Sequence, residues 1–251
     1  LILIQDTSLI KELQEISQQT EHLSTLSTLT AGMAHEIRNP LSGIRGSAQL
    51  LLKDLKNNGQ REYMEIVIEE VDRINRLVKK MMDLTRPALN DFKPTNIHQV
   101  LEEILVLEKG SLEMKEGVFV QVYDPSIPTI EANKDELKQV FLNLVKNAVE
   151  ASPKGGQVRI STQYNTDYTF RKNKDTLSSH NIVVKITDSG LGMTTATIKK
   201  LFTPFFTTKK RGSGLGMAVS LKIIENHHGK IKVTSKENIG TDIQVFLPVN
   251  K

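Results

Sequence analysis

An apolar residue returns every seventh position through the first fifty residues: Leu9, Ile16, Leu23, Ile37, Ile44 and Leu51, with Thr30 the one polar member of the series. Leu13, Leu26, Met33, Leu41 and Ala48 fill in at spacings of three or four. That recurrence predicts a coiled-coil or helix-bundle seam and little else. Asn57-Asn58-Gly59 breaks it as a turn. A second helix follows, with Val67, Val71, Ile74, Val78 and Met81 on one face, and it stops near Arg86-Pro87. A two-helix hairpin has too narrow an apolar stripe to make a core by itself. Pairing with a second copy into a four-helix bundle buries the stripe; the alternative is a monomeric hairpin lying on the domain that follows.

Residues 91–95 read as a short linker, and from Asn96 onward the pattern changes. Helical periodicity covers Asn96 to Lys109, Asn133 to Ala151 and Met217 to Asn226. Phe119 to Tyr123, Val158 to Gln163, Ile182 to Thr187, Lys230 to Ser235 and Asp242 to Leu247 read as extended. One sheet with helices on a single face, an α+β layer, accommodates this order. Asn165 to His180 is polar and aperiodic, a hairpin loop of no definable shape.

Composition mainly excludes. A net charge of +4 is mild, and the one compact basic cluster, Lys209-Lys210-Arg211, lies in a Gly-rich segment that suits nucleotide phosphate better than nucleic acid. The chain has no cysteine, hence no disulfide and no thiolate metal site, as fits a reducing compartment. No apolar run approaches the roughly 18 residues that span a bilayer. The chain starts on Leu1 without a charged leader, and reads as a piece of something longer.

Two regions carry chemistry. In AGMAHEIRNPL, Ala31 to Leu41, Met33 and Ile37 lie on the seam and His35 falls about 200° from each, so it faces solvent. Asn39 shares that face, one turn on. Most exposed histidines are plain surface, but Glu36 can take a hydrogen bond from one ring nitrogen and leave the other a better nucleophile. Pro40 removes a backbone donor, which is expected to bend the helix just after His35.

The second region is a series. Asn143 and Asn147 stand four apart on a helix whose Val140, Leu144 and Val145 point inward; an amide oxygen suits Mg²⁺, and Glu150 extends the polar surface. In DSGLGM, Asp188 to Met193, Gly190 and Gly192 let backbone approach a planar base, and Asp188 can accept from the exocyclic amine of adenine. In RGSGLGM, Arg211 to Met217, Gly212, Gly214 and Gly216 expose amides before a helix N-terminus that favours phosphate. Between them, Phe202, Phe205 and Phe206 can form a lid, while Lys209 or Lys210 meets phosphate charge. Each motif is weak alone; the four in this order are specific.

With those residues in view, the chain resembles the transmitter region of a bacterial sensor histidine kinase of a two-component system. AGMAHEIRNPL resembles the H box, QVFLNLVKNAVEA the N box, DSGLGM the G1 box, LFTPFF the F box and GSGLGMAVS the G2 box. The wording HEIRNPLSGIRGSAQLL is closest to the nitrogen-regulation group, and Leu1 to Leu13 looks like the last strand of a PAS sensor domain entering its exit helix.

The resemblance implies the end of a PAS-like domain over 1–8, a signalling helix over 9–28, a dimerisation and phosphotransfer hairpin over 29–90, and an ATP-binding domain over 96–251. That domain would be an α/β sandwich of the gyrase, Hsp90, histidine kinase and MutL type. His35 would take the γ-phosphoryl of ATP and pass it to an aspartate on the receiver domain of a response regulator. Glu36 would polarise it, and Asn39 would orient water when the regulator is dephosphorylated. Asn147 would bind Mg²⁺. Asn143, Lys146, Glu150, Lys209, Gly212, Ser213, Gly214, Leu215 and Gly216 would surround the nucleotide, with Asp188, Gly190 and Gly192 at adenine. Ser213 replaces a frequent Thr, and Lys230 stands where a second Gly is common. The implied partners are a second copy and the regulator, with no nucleic acid. This region would be cytoplasmic, with any membrane tether in segments outside it. Two other functions fit parts of the chain: an ATP-driven clamp with Glu150 as base, which leaves the H box unexplained, and a non-catalytic dimeric scaffold, against which intact His35, Asn147 and Asp188 argue.

Overall fold

The computed structural model describes residues 37–55, 57–85, 91–165, 180–209 and 212–249. His35, Glu36 and the seam before Ile37 lie outside them, as do Lys210, Arg211 and residues 166–179. The chain divides into two units, the first ending at Pro87 and the second beginning at Ala88.

In the first unit, helix α1 (37–54) continues through Pro40, and α2 is Asn58–Thr85. The break between the helices falls earlier than the expected turn at 57–59: α1 ends at residue 54 and Asn58 is already helical, with Asn57 accepting the amide of Gly59 at 2.9 Å. Polar bonds set the antiparallel register. Arg45 holds Asp72 (2.8 Å), Arg38 reaches the Met82 sulfur (3.5 Å), and Arg61 caps the carbonyls of Leu52 (2.8 Å) and Leu55 (3.2 Å) at the end of α1.

The seam splits in two. Leu41 and Ala48 are buried, as are Val71 and Val78 of α2, each pair again seven residues apart. The sevenfold series itself, Ile37, Ile44 and Leu51, expected to be buried, stays 38%, 49% and 53% exposed within one chain, and Ile66 and Ile74 are exposed as well. The reason is geometric. Two helices cover only the stripe between them, and an apolar residue 40° to one side remains open.

The second unit is a five-stranded sheet under three helices, α3 (Ile97–Glu113), α4 (Lys134–Ala151) and α6 (Gly216–Asn226). Its strands are β2 (Val118–Val122), β4 (Gln157–Asn165), β5 (Asn181–Asp188), β6 (Lys230–Lys236) and β7 (Gly240–Pro248), in the order β2-β4-β5-β7-β6. Only β2 and β4 are parallel. Alternation puts Val158 and Ile160 of β4, Ile182, Val184 and Ile186 of β5, and Ile243, Val245 and Leu247 of β7 on the buried face. Against it α4 lays Leu137, Val140, Phe141, Leu144, Val145 and Ala148. Asn96 and Asn133 cap α3 and α4, each accepting two backbone amides.

Three features depart from expectation. Residues 93–95 are not linker: β1 (Lys93–Thr95) pairs antiparallel with β3 (Ile130–Ala132), which leads into α4. These three-residue strands are too short to show periodicity, and only the pairing defines them. A short helix α5 (Thr195–Lys200), capped by Thr194, follows the DSGLGM loop. In the turn between α6 and β6 the position that calls for glycine is His228, with φ 56°, while Lys230 opens β6 as a strand residue.

A left-handed backbone costs an L-residue roughly 1–2 kcal/mol, part of which glycine recovers and part of which it loses to chain entropy. His228→Gly is therefore expected to stabilise the unit by about 0.5–1 kcal/mol in urea unfolding. A loss of stability would show that the exposed His228 side chain makes a compensating contact.

Candidate nucleotide site

Asp188 continues the inward alternation of Ile182, Val184 and Ile186, so β5 ends by placing a carboxylate where the pattern otherwise sets a branched apolar residue. It is 8% exposed. Burial pushes its carboxyl above the ordinary carboxylate value; bonds from the Gly190 and Thr241 amides pull the other way, and Asp242 adds repulsion. A buried carboxylate with two neutral donors and no cation among its described partners is an expensive thing to keep.

The glycines around it are needed for close approach. A Cβ on Gly190 would collide with the carbonyl of Ala151 at the end of α4, and one on Gly192 (φ 62°) with the backbone of Lys236. Thus the DSGLGM loop lies directly on the α4 terminus and the β6–β7 turn.

One face of α4 presents Asn143 and Asn147 to α6. Asn143 donates to Ser220 Oγ (3.0 Å), and its Oδ1 lies over Gly216, where no Cβ would fit. Asn147 Nδ2 points at the Met217 sulfur (3.4 Å), which turns its oxygen outward. There Lys209 Nζ donates to Asn147 Oδ1 at 2.7 Å and pairs with Glu150 at 2.5 Å. Two oxygens from successive helical turns, one neutral and one anionic, thus already converge on a single cation.

Lys146 is exposed beside them on α4. The loop before α6 is shaped by Gly214 (φ 66°) lying against the backbone of Phe205, and by Ser213 Oγ near the Leu215 amide (3.4 Å). Phe205, itself at φ 67°, is exposed, whereas Leu215 is fully buried and offers a ligand only its backbone. Leu215 caps α6 without a side-chain hydrogen bond. Gly212 closes a turn on the carbonyl of Lys209 (3.3 Å).

Residues 25–89 match the family model described as His Kinase A (phospho-acceptor) domain, and residues 132–251 the one described as Histidine kinase-, DNA gyrase B-, and HSP90-like ATPase. The chain is 36% identical over its whole length to the signal transduction histidine-protein kinase AtoS of Escherichia coli (strain K12), of which it spans 39%. It is 34% identical to the sensory histidine kinase/phosphatase NtrB of Klebsiella oxytoca over 93% of this chain and 66% of that one. The chain belongs to the histidine kinases. It is the transmitter region of that family, and it spans about two fifths of the length of AtoS. The crystal structure of histidine kinase ThkA in complex with the response regulator protein TrrA superposes with a TM-score of 0.62 at 28% identity, over 98% of this chain and 69% of that one.

In this histidine kinase, the second unit gathers Asn143, Asn147, Glu150 and Lys209 into one cluster, with Gly216 against Asn143. Gly190, which donates its amide to Asp188, meets the same helix at its C-terminus, while Gly192 lies against Lys236. Asn39 lies exposed on α1, whereas His35 and Glu36 are outside the described residues. Sequence reasoning missed Met217 and Ser220, which orient the two Asn amides. Their i, i+3 spacing at the start of an amphipathic helix was the available signal. No helix among the described residues is long and apolar enough to cross a membrane.

Proposed function

We propose that this chain transfers the γ-phosphoryl group of ATP to His35 and then to an aspartate on the receiver domain of a response regulator. It also promotes hydrolysis of that aspartyl phosphate. The observation that carries the reading is the convergence of Asn147 and Glu150 on one cation, in a domain whose buried Asp188 has neutral donors but no described counterion.

A ring nitrogen of His35 attacks the γ-phosphorus, the P–O bond to the β-phosphate breaks, and ADP leaves with the electron pair. Glu36 orients the imidazole, and Asn39 positions water for the regulator's hydrolysis. Asp188 accepts from the adenine amine, and the amides of residues 212–216 and Lys209 face the phosphates. Hard oxygen donors at Asn147 and Glu150 fit Mg²⁺. No group of three or more His, Asp or Glu able to hold a metal occurs among the described residues, as suits an ion that draws further ligands from phosphate and water. When bound, that ion would neutralise phosphate charge. The regulator partner and the phosphatase activity are supported by the ThkA–TrrA complex and by the name of NtrB.

Incubation with γ-labelled ATP and Mg²⁺ tests the reading. An acid-labile, alkali-stable label on the chain, chased off by a receiver domain, is expected. ATP turnover without label would instead favour the clamp.

The exposed series Ile37, Ile44 and Leu51 supports a second copy as the partner that completes a four-helix bundle. Fully burying an isoleucine contributes about 1.5–3 kcal/mol, and Ile44 has about half of that left to gain, counted twice in a symmetric dimer, so Ile44→Asp is expected to weaken dimerisation at least about tenfold. Sedimentation at micromolar concentration would then report monomers; an unchanged dimer would place the interface elsewhere.

A further inference from the structure

We infer that Lys115, which lies outside every motif of the site, is a positioning residue for the nucleotide. Helix α4 ends at Ala151 with no basic residue in its last turn. Its final carbonyls have no partners within the helix and carry the negative end of the helix dipole. Lys115, from the turn between α3 and β2, supplies what is missing. Its ammonium donates to the carbonyls of Val149 (2.9 Å), Glu150 (2.9 Å) and Ser152 (3.0 Å), which uses all three of its protons.

The turn is itself clasped to the segment after α4. Gly155 N donates to the Lys115 carbonyl at 2.7 Å, Val118 N to that of Gly156 at 3.2 Å, and Glu116 pairs with Lys154 at 2.7 Å. Glu116 takes a left-handed backbone, φ 56°, that aims the two neighbours into this arrangement.

The same last turn of α4 holds both ends of the site together. It carries the Glu150 side chain and, one turn back, Asn147. Its Ala151 carbonyl is the surface on which Gly190 rests, and Gly190 N in turn holds Asp188 Oδ1 at 2.9 Å. Lys115 touches none of these side chains. It fixes the backbone that spaces the phosphate-facing Asn147 and Glu150 from the base-facing Asp188. Removing it frees three carbonyls and lets that turn fray, so a ligand that must reach both ends binds more weakly even where the fold survives.

This inference rests on the nucleotide reading of the site. The test compares the whole wild-type chain with Lys115→Met and Lys115→Arg, using a fluorescent ATP analogue displaced by ATP or GTP, alongside autophosphorylation kinetics. Lys115→Met is expected to raise the Kd and KM for ATP about tenfold, since small misplacements of binding groups are amplified in this way. It should also erode the preference for ATP over GTP, leave kcat within about twofold, and be rescued by Arg.

A purely structural role lowers the active fraction, hence kcat, and leaves Kd and base preference of the folded molecules untouched; that result overturns the inference. If Lys115→Met does not fold, hydrogen exchange on the wild-type chain decides. Nucleotide slows exchange at Gly155, Gly156 and Val118 if the clasp and the site are coupled, and unchanged rates there overturn it. A wild-type chain that binds no ATP would instead sink the nucleotide reading itself.

Discussion

Asp188→Asn is expected to lower ATP affinity about ten- to a hundredfold, as follows from losing a charge-assisted hydrogen bond of roughly 1.5–3 kcal/mol. The same change is expected to raise the melting temperature of the chain at pH 7. Both effects come from one fact: a carboxylate ends the inward face of β5, 8% exposed, where burial raises its pKa. A carboxyl whose folded pKa lies above its unfolded value binds more protons when folded. Stability therefore falls as pH rises from the ordinary carboxylate value, 3.8, through the folded one, above which the cost is fully present.

Asparagine removes that charge and can still accept the Gly190 amide. The stability gap between the variant and the wild type should therefore narrow as pH is lowered through the same window, while ATP affinity of the wild type declines. Nucleotide titration and thermal melts at a series of pH values measure both. A variant that binds ATP normally would remove Asp188 from the base site. One that melts lower at every pH would make the carboxylate a structural group.

His35→Gln is expected to abolish the acid-labile label, a loss on the order of a thousandfold or more, and to leave the Kd for ATP within about twofold. Glutamine approximates the reach and polarity of the imidazole but has no nucleophilic ring nitrogen, so no phosphoramidate forms. Binding is retained because Asn143, Asn147, Asp188 and the glycine loops all belong to the second unit. The complementary variant is Asn147→Ala, which keeps His35 and removes the oxygen that receives Lys209. In a mixture, recovered label means that one protomer phosphorylates the other. Absence of label, with mixed dimers confirmed, means that transfer stays within a chain. Label persisting on His35→Gln would require another acceptor and would refute the proposed role of His35.

Much of this was legible in the sequence, because local periodicity and composition carry it. A seven-residue series can only be a helical seam. Alternation in Ile182–Thr187 can only be a half-covered strand, and the same alternation carried one residue further places Asp188 inward. Asn143 and Asn147 share a helix face by spacing alone. The sequence also sufficed to order the motifs that the histidine kinase family shares.

Other features depended on residues distant in the chain. β1 and β3 are each three residues long and exist only as each other's partner, so 93–95 read as linker. Which stripe of the seam a single chain buries, Leu41 and Ala48 rather than Ile44 and Leu51, follows from where α2 lies against α1. The left-handed residue in the turn between α6 and β6 is His228, a matter of backbone path rather than of composition. Lys115 sits thirty-four residues from the first carbonyl it holds, and no pattern in its neighbourhood marks it. Sequence determined what each segment would become, because side-chain periodicity acts over one or two turns. Tertiary structure alone decided which groups meet, because helix ends, glycine contacts and buried charges find their partners across space.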